Sequence, residues 1–203
     1  EIAMKIDEEG FDFTQLDNGK GAIDVVILVV AGKGGAGSNN FWPHMFVVPD
    51  VDNGLHLINS NAPTNNHDFF ALDGVAIRKY IVIQEKYAWN HDGTDIDMIH
   101  PIGTICHELG HVLGLPDLYD TSENSASGIG EWGLMGSGNY LRQTSPAYMS
   151  AWSRYRLGYI TPIVLSDVVE NHTSILSAED NQEANAYILP LDSNIPQEYL
   201  ILE

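Results

Sequence analysis

The stretch that most constrains this 203-residue chain is 104–119, which reads TICHELGHVLGLPDLY. It contains two histidines four residues apart, His107 and His111, with Glu108 beside the first. On an α-helix, residues four apart lie one turn above each other on the same face. Two imidazoles placed in this way can hold one Zn²⁺ at about 2.0–2.1 Å each, and a neighbouring carboxylate can take a proton from metal-bound water. The spacing therefore predicts a zinc-binding helix with Glu108 as general base.

The residues around this motif indicate where the helix begins and ends. Pro101 suits a first-turn position, where its missing N–H costs nothing. Gly114 allows the left-handed turn that ends a helix, and Pro116 prevents its continuation. Between them, apolar residues follow the i, i+3, i+4, i+7 rule and predict a core-facing side that is separate from the histidine side. The predicted core-facing residues are Ile102, Ile105, Cys106, Leu109, Val112 and Leu113.

A third metal ligand is predicted shortly after the helix. Gly114 and Asp117 complete the pattern HExxHxxGxxD, in which the glycine lets the chain bring a third ligand back to the metal. Three protein ligands and one open position are typical of a catalytic zinc site. Glu131 is the alternative third ligand. Met135 lies in a glycine-rich turn and is predicted to form an apolar floor below the metal, and Tyr140 is a candidate for contact with the substrate oxyanion.

Composition limits the partners of this chain. The net charge is −19, from 9 basic and 28 acidic residues, so nucleic acids and anionic membranes are poor partners. Hydrophobic residues make up 44%, as in ordinary globular proteins, and we find no apolar run long enough to span a membrane. The single cysteine, Cys106, excludes an internal disulfide and is predicted to be a buried apolar thiol. The chain begins at Glu1 without an initiator Met, so we expect a fragment or a processed form.

Carboxylates can also hold calcium. The segment 17–24, DNGKGAID, places Asp17 and Asp24 around two glycines just before a predicted strand. Asp17, Asp24 and Asp120 are the candidate calcium ligands, and a plain Asn-Gly turn is the alternative for the first two.

Three strands are predicted before the zinc helix. The β-branched run 24–31 predicts a central strand buried on both faces, and 45–49 predicts a short second strand. The third, 75–84, is the predicted edge strand, along which an extended peptide substrate would bind. We predict a long loop at 50–73, and a surface or capping position for His100.

A second helix and a small β-region are predicted after the Met135 turn. Ser145 is the predicted N-cap and Pro146 the first-turn residue of this helix, and Gly158 ends it. Short apolar runs follow at 163–165, 174–176, 186–191 and 199–202. The sequence thus predicts an α+β fold: a twisted mixed sheet with an active-site helix, followed by a Met-turn and a helix. We predict a catalytic domain at 1–162 and a small β-rich subregion at 163–203.

These residues together resemble the immune inhibitor A-type secreted bacterial metallopeptidases, which belong with the metzincin-like zincins. The resemblance implies a secreted or cell-surface zinc endopeptidase of bacterial origin, often stabilised by calcium. It implies that His107, His111 and Asp117 are metal ligands, that Glu108 is the general base and that Met135 is the turn methionine. The matching blocks are 11–30 with the following AGKG, 42–44, 106–120, 128–138, SPAYMSAW and 156–159.

Two further hypotheses stay open at this point. The chain could be a non-catalytic adhesion or glycoprotein-binding module that kept the fold. Such a module is expected to have lost the glutamate or a metal ligand, but Glu108 and the three ligands His107, His111 and Asp117 are all present. It could also be a zincin that cleaves only a host glycoprotein. That enzyme would bind metal without cleaving generic protein substrates.

Overall fold

The structure is a computed structural model that describes residues 2–34, 42–48, 70–87, 98–122, 126–141, 144–165, 186–191 and 198–203. It divides into two compact units, Glu1–Val112 and Leu113–Glu203. The predicted strand at 174–176 and most of the predicted loop at 50–73 lie outside the described residues. Helices and mixed sheets occur in the same chain, which confirms the α+β class.

The first unit contains two helices and seven strands among its described residues. In chain order these are α1 (Ile2–Glu8), β1 (Ala22–Ile23), β2 (Val26–Gly34), β3 (His44–Val47), β4 (Phe70–Leu72), β5 (Val75–Ile77), β6 (Lys79–Tyr87), β7 (Met98–Ile99) and α2 (Ile102–Val112). A short 3₁₀ turn at Phe13–Leu16 follows α1, with the Asp12 side chain accepting a hydrogen bond from the Thr14 N–H.

The main sheet of this unit has the order β2-β6-β3 and is mixed. Strand β6 pairs with β2 in parallel and with β3 in antiparallel orientation, and its far end also pairs with β7. Ile81 and Ile83 on β6 are almost completely buried, at 0% and 1% exposure. Strand β6 is therefore the centre of the sheet as described.

This topology corrects two predictions. The strand predicted at 24–31 forms, but among the described strands it pairs with β6 alone. Its first residues alternate between half-buried and exposed positions, with Val29 64% exposed. A β-branched run shows that a strand is apolar on both faces, but not how many strands flank it. The predicted edge strand 75–84 is also wrong, because β6 is flanked on both sides. In the part of the chain that the structure describes, the open antiparallel edge belongs to β3.

The run 75–84 is in fact two strands that belong to different sheets. Strand β5 pairs with β1 in parallel and with β4 in antiparallel orientation, forming a small sheet of order β1-β5-β4. The end of the predicted loop 50–73 thus contains a strand. The break at Arg78 transfers the chain to the main sheet, and no glycine or proline marks it. Apolar residues of the small sheet pack with Phe13 from the 3₁₀ turn in one cluster: Phe13, Ile23, Leu72, Val75 and Ile77.

Helix α2 spans nearly the predicted range and packs against β3 and β6. Its burial is the reverse of the prediction. The buried residues of α2 are Gly103, Thr104, His107, Glu108 and Gly110, whereas Ile102 is exposed and Cys106 is only half-buried. Helical spacing divides a helix into faces, but it does not determine which face the rest of the chain covers. Burial raises the pKa of the Cys106 thiol.

His100 precedes α2 and is buried, whereas the sequence predicts a surface or capping position. It is 7% exposed, and its ring makes an edge contact with Tyr87 at 5.4 Å between ring centroids. The backbone N–H of His100 donates to the Glu85 carbonyl. Neither ring nitrogen has a hydrogen-bond partner among the described residues. Because burial penalises the charged form of the ring, the pKa of His100 falls to about 4.

The second unit begins with the segment that carries Asp117 and Met135, and continues to α3 (Ala151–Arg156). The predicted start of this helix at Ser145 and Pro146 is wrong, because Ser150 is the N-cap and its side chain accepts from the Ser153 N–H. Residues before Ser150 are used elsewhere: the Ala147 N–H donates to the Gly138 carbonyl, and the Tyr148 carbonyl accepts from Leu134. These backbone bonds hold 147–148 against the preceding loop and exclude them from a helix.

The end of α3 and the following small sheet agree with prediction. Gly158, at φ +75°, follows the helix end. Strands β8 (Ile163–Val164), β9 (Tyr187–Pro190) and β10 (Tyr199–Leu202) form one sheet of order β10-β9-β8. The Glu203 carboxylate connects this sheet to α3 by accepting from the Ala151 N–H at 2.7 Å and from Arg154 at 3.0 Å. The predicted domain boundary at 162/163 stays a prediction.

Among the described residues, no helix has the combined length and apolar character that crossing a membrane requires.

The buried His100 predicts an acid-sensitive stability. Its folded pKa of about 4 lies below the ordinary 6.5, so the unfolded chain takes up this proton first as the pH falls. The stability that depends on neutral His100 is complete above pH 6.5 and declines between pH 6.5 and about 4, by at most about 3 kcal/mol. Urea unfolding of the metal-free protein at several pH values should show a shallower decline in His100→Phe. Parallel pH dependence in the two proteins would contradict this assignment.

Candidate metal centre

Helix α2 brings two imidazole nitrogens together. The Nε2 atoms of His107 and His111 lie 3.1 Å apart, and the two rings are nearly perpendicular, at 88°, with centroids 4.7 Å apart. His107 is 5% exposed and His111 is half-buried. The helical spacing read from the sequence therefore places the same ring atom of both residues at one point beside the helix.

The separation of these nitrogens fits a shared metal ion. Two donors at about 2.0–2.1 Å from a tetrahedral ion are about 3.3–3.4 Å apart, because the angle at the ion is near 109°. The observed 3.1 Å is close to that value. Imidazole nitrogens with one carboxylate oxygen are also a donor set that zinc accepts in catalytic sites.

Asp117 supplies the carboxylate of this group. One ligand atom each from His107, His111 and Asp117 lie within 4.8 Å of one another. Within the described parts of the chain, no other cluster of His, Cys, Asp or Glu side chains meets the same criterion. Gly114 makes the return possible, because its φ of +97° is a left-handed conformation that side-chain-bearing residues rarely adopt. The chain thus turns after α2 and reaches Asp117 three residues later.

Glu108 lies on the buried side of α2, next to His107. It is 6% exposed, and the neighbouring Thr104 on the same helix is buried as well. A carboxylate in such a place is shielded from bulk water. Its role as general base stays a prediction.

Met135 lies in a closely packed turn of the second unit. Its side chain is fully buried, and its carbonyl accepts a hydrogen bond of 2.8 Å from the N–H of Leu118, the residue after Asp117. The turn requires glycine at 136, where an added Cβ would lie 2.4 Å from the Gly130 carbonyl oxygen. The Met135 turn and the Asp117 segment are therefore joined by their backbones.

Two other predicted site residues have more exposed positions. Glu131 is exposed in a 3₁₀ turn (Gly130–Trp132) and does not belong to the His–His–Asp group. Tyr140 ends a second 3₁₀ turn (Ser137–Tyr140) and is partly exposed. The grouping favours Asp117 over Glu131 as third ligand, and the role of Tyr140 stays a prediction.

The candidate calcium ligands are hydrogen-bonded within their own loops. One Asp17 oxygen accepts from the N–H groups of Gly19, Gly21 and Ala22, and Asp24 accepts from the Asn18 amide. These bonds describe an Asx-type turn, which is the plain alternative that the sequence left open. Calcium binding stays a prediction.

Asp120 closes a turn in the same way. Its carboxylate accepts from the Ser122 N–H at 2.8 Å, and hydrogen bonds from the Ser122 side chain and backbone lower the pKa of Asp120. It is not a member of the His–His–Asp group.

A helix carrying HExxH, a grouped His–His–Asp donor set and a mixed α+β fold together define a metallopeptidase-type site. The chain belongs to the immune inhibitor A peptidase M6 family: residues 12–161 match the model of its catalytic domain. This match includes α2, Asp117 and the Met135 turn, and it confirms the resemblance seen in the sequence.

Individual relatives agree with this family. The chain is 29% identical over 128 residues to the pre-pro-metalloprotease PrtV of Vibrio cholerae serotype O1, with the same values in two strains. The matched region is 61% of this chain but 12% of the relative. The chain therefore matches only a small part of the length of PrtV.

The grouping predicts that Asp117, and not Glu131, contributes to metal affinity. We expect Asp117→Asn to weaken zinc binding by more than about 100-fold, since replacing even an outer partner of a ligand costs about 10- to 100-fold. Glu131→Gln is the matched control and should bind zinc like the unmodified protein. Competition with a chromophoric chelator measures both constants. The opposite ranking of the two variants would make Glu131 the third ligand.

Proposed function

We propose that this chain is the catalytic domain of a zinc endopeptidase. The observation that carries the proposal is the 3.1 Å approach of the His107 and His111 Nε2 atoms beside the buried Glu108, in a chain of a peptidase family. His107, His111 and Asp117 would hold the metal. Zinc, when bound, would supply Lewis-acid activation of water and of the scissile carbonyl.

Glu108 would move the proton in this reaction. A carboxylate that follows the first ligand can accept a proton from the attacking water and later deliver it to the leaving amine. Its burial supports this role, because the carboxylate is largely shielded from bulk solvent. The protein would therefore use one residue as base and then as acid.

Strand β3 would receive the substrate. The Val48 N–H donates to the Arg78 carbonyl, so the pair Val48–Arg78, one residue beyond the paired ends of β3 and β6, is hydrogen-bonded. Hydrogen-bonded and non-bonded pairs alternate in an antiparallel ladder, so the backbone groups of Met45 and Val47 point away from β6. No described strand pairs with this side of β3, so these groups can pair with an extended peptide that adds to the sheet. Since α2 packs against β3, such a peptide would lie beside the metal-binding helix.

Two further residues belong to the proposed site. Met135 would act as the turn methionine of a metzincin-like arrangement, supported by its complete burial and by its backbone bond to Leu118. Tyr140 would contact the substrate oxyanion.

Secretion to the cell exterior is proposed from the acidic composition and from the likeness to a pre-pro-metalloprotease. Calcium would add stability to such a secreted enzyme, with Asp17, Asp24 and Asp120 as the candidates.

The alternative of a non-catalytic binding module is less well supported. A module without activity has no need to keep both histidines, the aspartate and the adjacent glutamate, and the family match is to a catalytic domain. A chelator-sensitive cleavage of casein or gelatin would separate the two functions. Metal binding without cleavage of either protein would favour the binding module or an enzyme restricted to one host glycoprotein.

Replacing Glu108 should abolish catalysis without removing the metal. We expect Glu108→Gln to reduce kcat by about 100- to 10,000-fold, because general acid–base catalysis contributes that much. Zinc content, measured by elemental analysis, should stay at the level of the unmodified protein because glutamate is not a ligand. Proteolysis at the original rate in this variant would show that another group moves the proton.

The edge of β3 can be tested by removing one outward N–H. Val47→Pro lacks that donor but keeps the ladder to β6, and proline is tolerated on edge strands. We expect about a two- to twelvefold lower kcat/KM for extended peptides, the effect of one hydrogen bond of about 0.5–1.5 kcal/mol. Val47→Ala is the control, since it shortens the side chain and keeps the N–H. Equal kcat/KM for the two variants would mean that substrates do not pair with β3.

A further inference from the structure

The C-terminal end of α2 is fixed to the sheet by one charged side chain. The Nζ atom of Lys79 lies 2.6 Å from the carbonyl oxygen of Val112, the last residue of the helix. The last carbonyls of any helix lack partners within the helix, and a cation there also interacts favourably with the helix dipole. Lys79 is half-buried, so its ammonium is placed at the helix end and not free in solvent.

The strand that carries Lys79 is paired on both sides within the main sheet. Lys79 is the first residue of β6, the strand flanked by β2 and β3, and it pairs with Val47. Side chains alternate along a strand, so Lys79, Ile81 and Ile83 point to one face. The near-complete burial of the two isoleucines shows that this face is covered. The hydrogen bond from Lys79 therefore connects the end of α2 to a strand that is packed on this face.

The helix end matters because His111 is in it. His111 immediately precedes Val112 and lies in the last turn of α2, whereas His107 lies one turn earlier. Terminal turns are the parts of a helix that fray most readily. If this turn opens, the His111 Nε2 moves away from the His107 Nε2, and the 3.1 Å separation is lost. The bond to Val112 opposes that opening without touching either ligand.

We propose that Lys79 is a positioning residue for the metal site: by holding the Val112 carbonyl, it keeps His111 in its ligating position. This inference rests on the proposed zinc site and adds a residue that neither the HExxH motif nor the predicted strand 75–84 indicated. Lys79 does not bind metal or substrate in this role. Lys79 would instead keep the last turn of α2 folded in the metal-free protein, so that His111 is already positioned for metal binding.

The test compares zinc affinity among variants of the metal-free protein. Lys79→Met keeps an unbranched stem and removes the ammonium. We expect its zinc dissociation constant to be about tenfold larger, in the range seen when an outer partner of a ligand is replaced. Competition with a chromophoric chelator measures this constant. Lys79→Arg keeps a cationic donor and should restore most of the affinity. Lys20→Met, on an exposed loop of the same unit, is the control and should have no effect.

A spectroscopic measurement separates positioning from general stability. Circular dichroism should show the metal-free variants folded at the assay temperature, while the visible spectrum of the Co²⁺-loaded Lys79→Met protein should change in intensity or position. Unchanged zinc affinity and an unchanged Co²⁺ spectrum in Lys79→Met would overturn the proposal. If Lys79→Met does not fold, Lys79→Gln, which keeps a neutral donor, is measured instead. Failure of both to fold would also overturn it, because Lys79 would then stabilise the whole unit.

The outcomes distinguish this inference from the proposed function. If the unmodified protein binds no zinc, the metallopeptidase proposal fails. If it binds zinc and Lys79→Met binds equally well, only the role of Lys79 fails.

Discussion

The approach of two imidazole nitrogens on one side of α2 is the interaction on which the rest of the structure depends. The 3.1 Å between the Nε2 atoms of His107 and His111 fits either a hydrogen bond between the two rings or a cation that both rings bind. Asp117 adds a negative oxygen to the same group, which favours the cation. The turn at Gly114 and the backbone bond between Leu118 and Met135 hold the segment that carries Asp117.

The burial of α2 is the reverse of an ordinary amphipathic helix and is consistent with a functional surface. Polar residues are usually exposed because burial without partners costs free energy. Here His107 and Glu108 are buried, while Ile102 and Leu113 are exposed. Groups that bind a cation or transfer a proton act more strongly when water is excluded. The exposed apolar side chains show that the helix is not placed by hydrophobic packing alone. Its contact with β3 and β6 and the bond from Lys79 fix it as well.

The sequence allowed local features to be predicted, and the structure differed where long-range pairing decides. The HExxH helix, its glycine end and the existence of strands near 24–31 and 45–49 follow from spacing and residue type over short windows. The position of β2 at one side of the sheet could not be predicted, because an apolar run does not encode its neighbours. The division of 75–84 at Arg78 was missed for a similar reason, since no glycine or proline marks it. Ser145 and Pro146 imitate a helix start, but backbone bonds from Ala147 and Tyr148 to the preceding loop prevail.

Zinc-edge X-ray absorption, combined with the metal content of the purified chain, tests the central claim most directly. The account predicts one zinc per chain, with two imidazole nitrogens and at least one carboxylate or water oxygen at about 2.0–2.2 Å. A chain that binds no zinc, or a spectrum without histidine scattering around the metal, would contradict it.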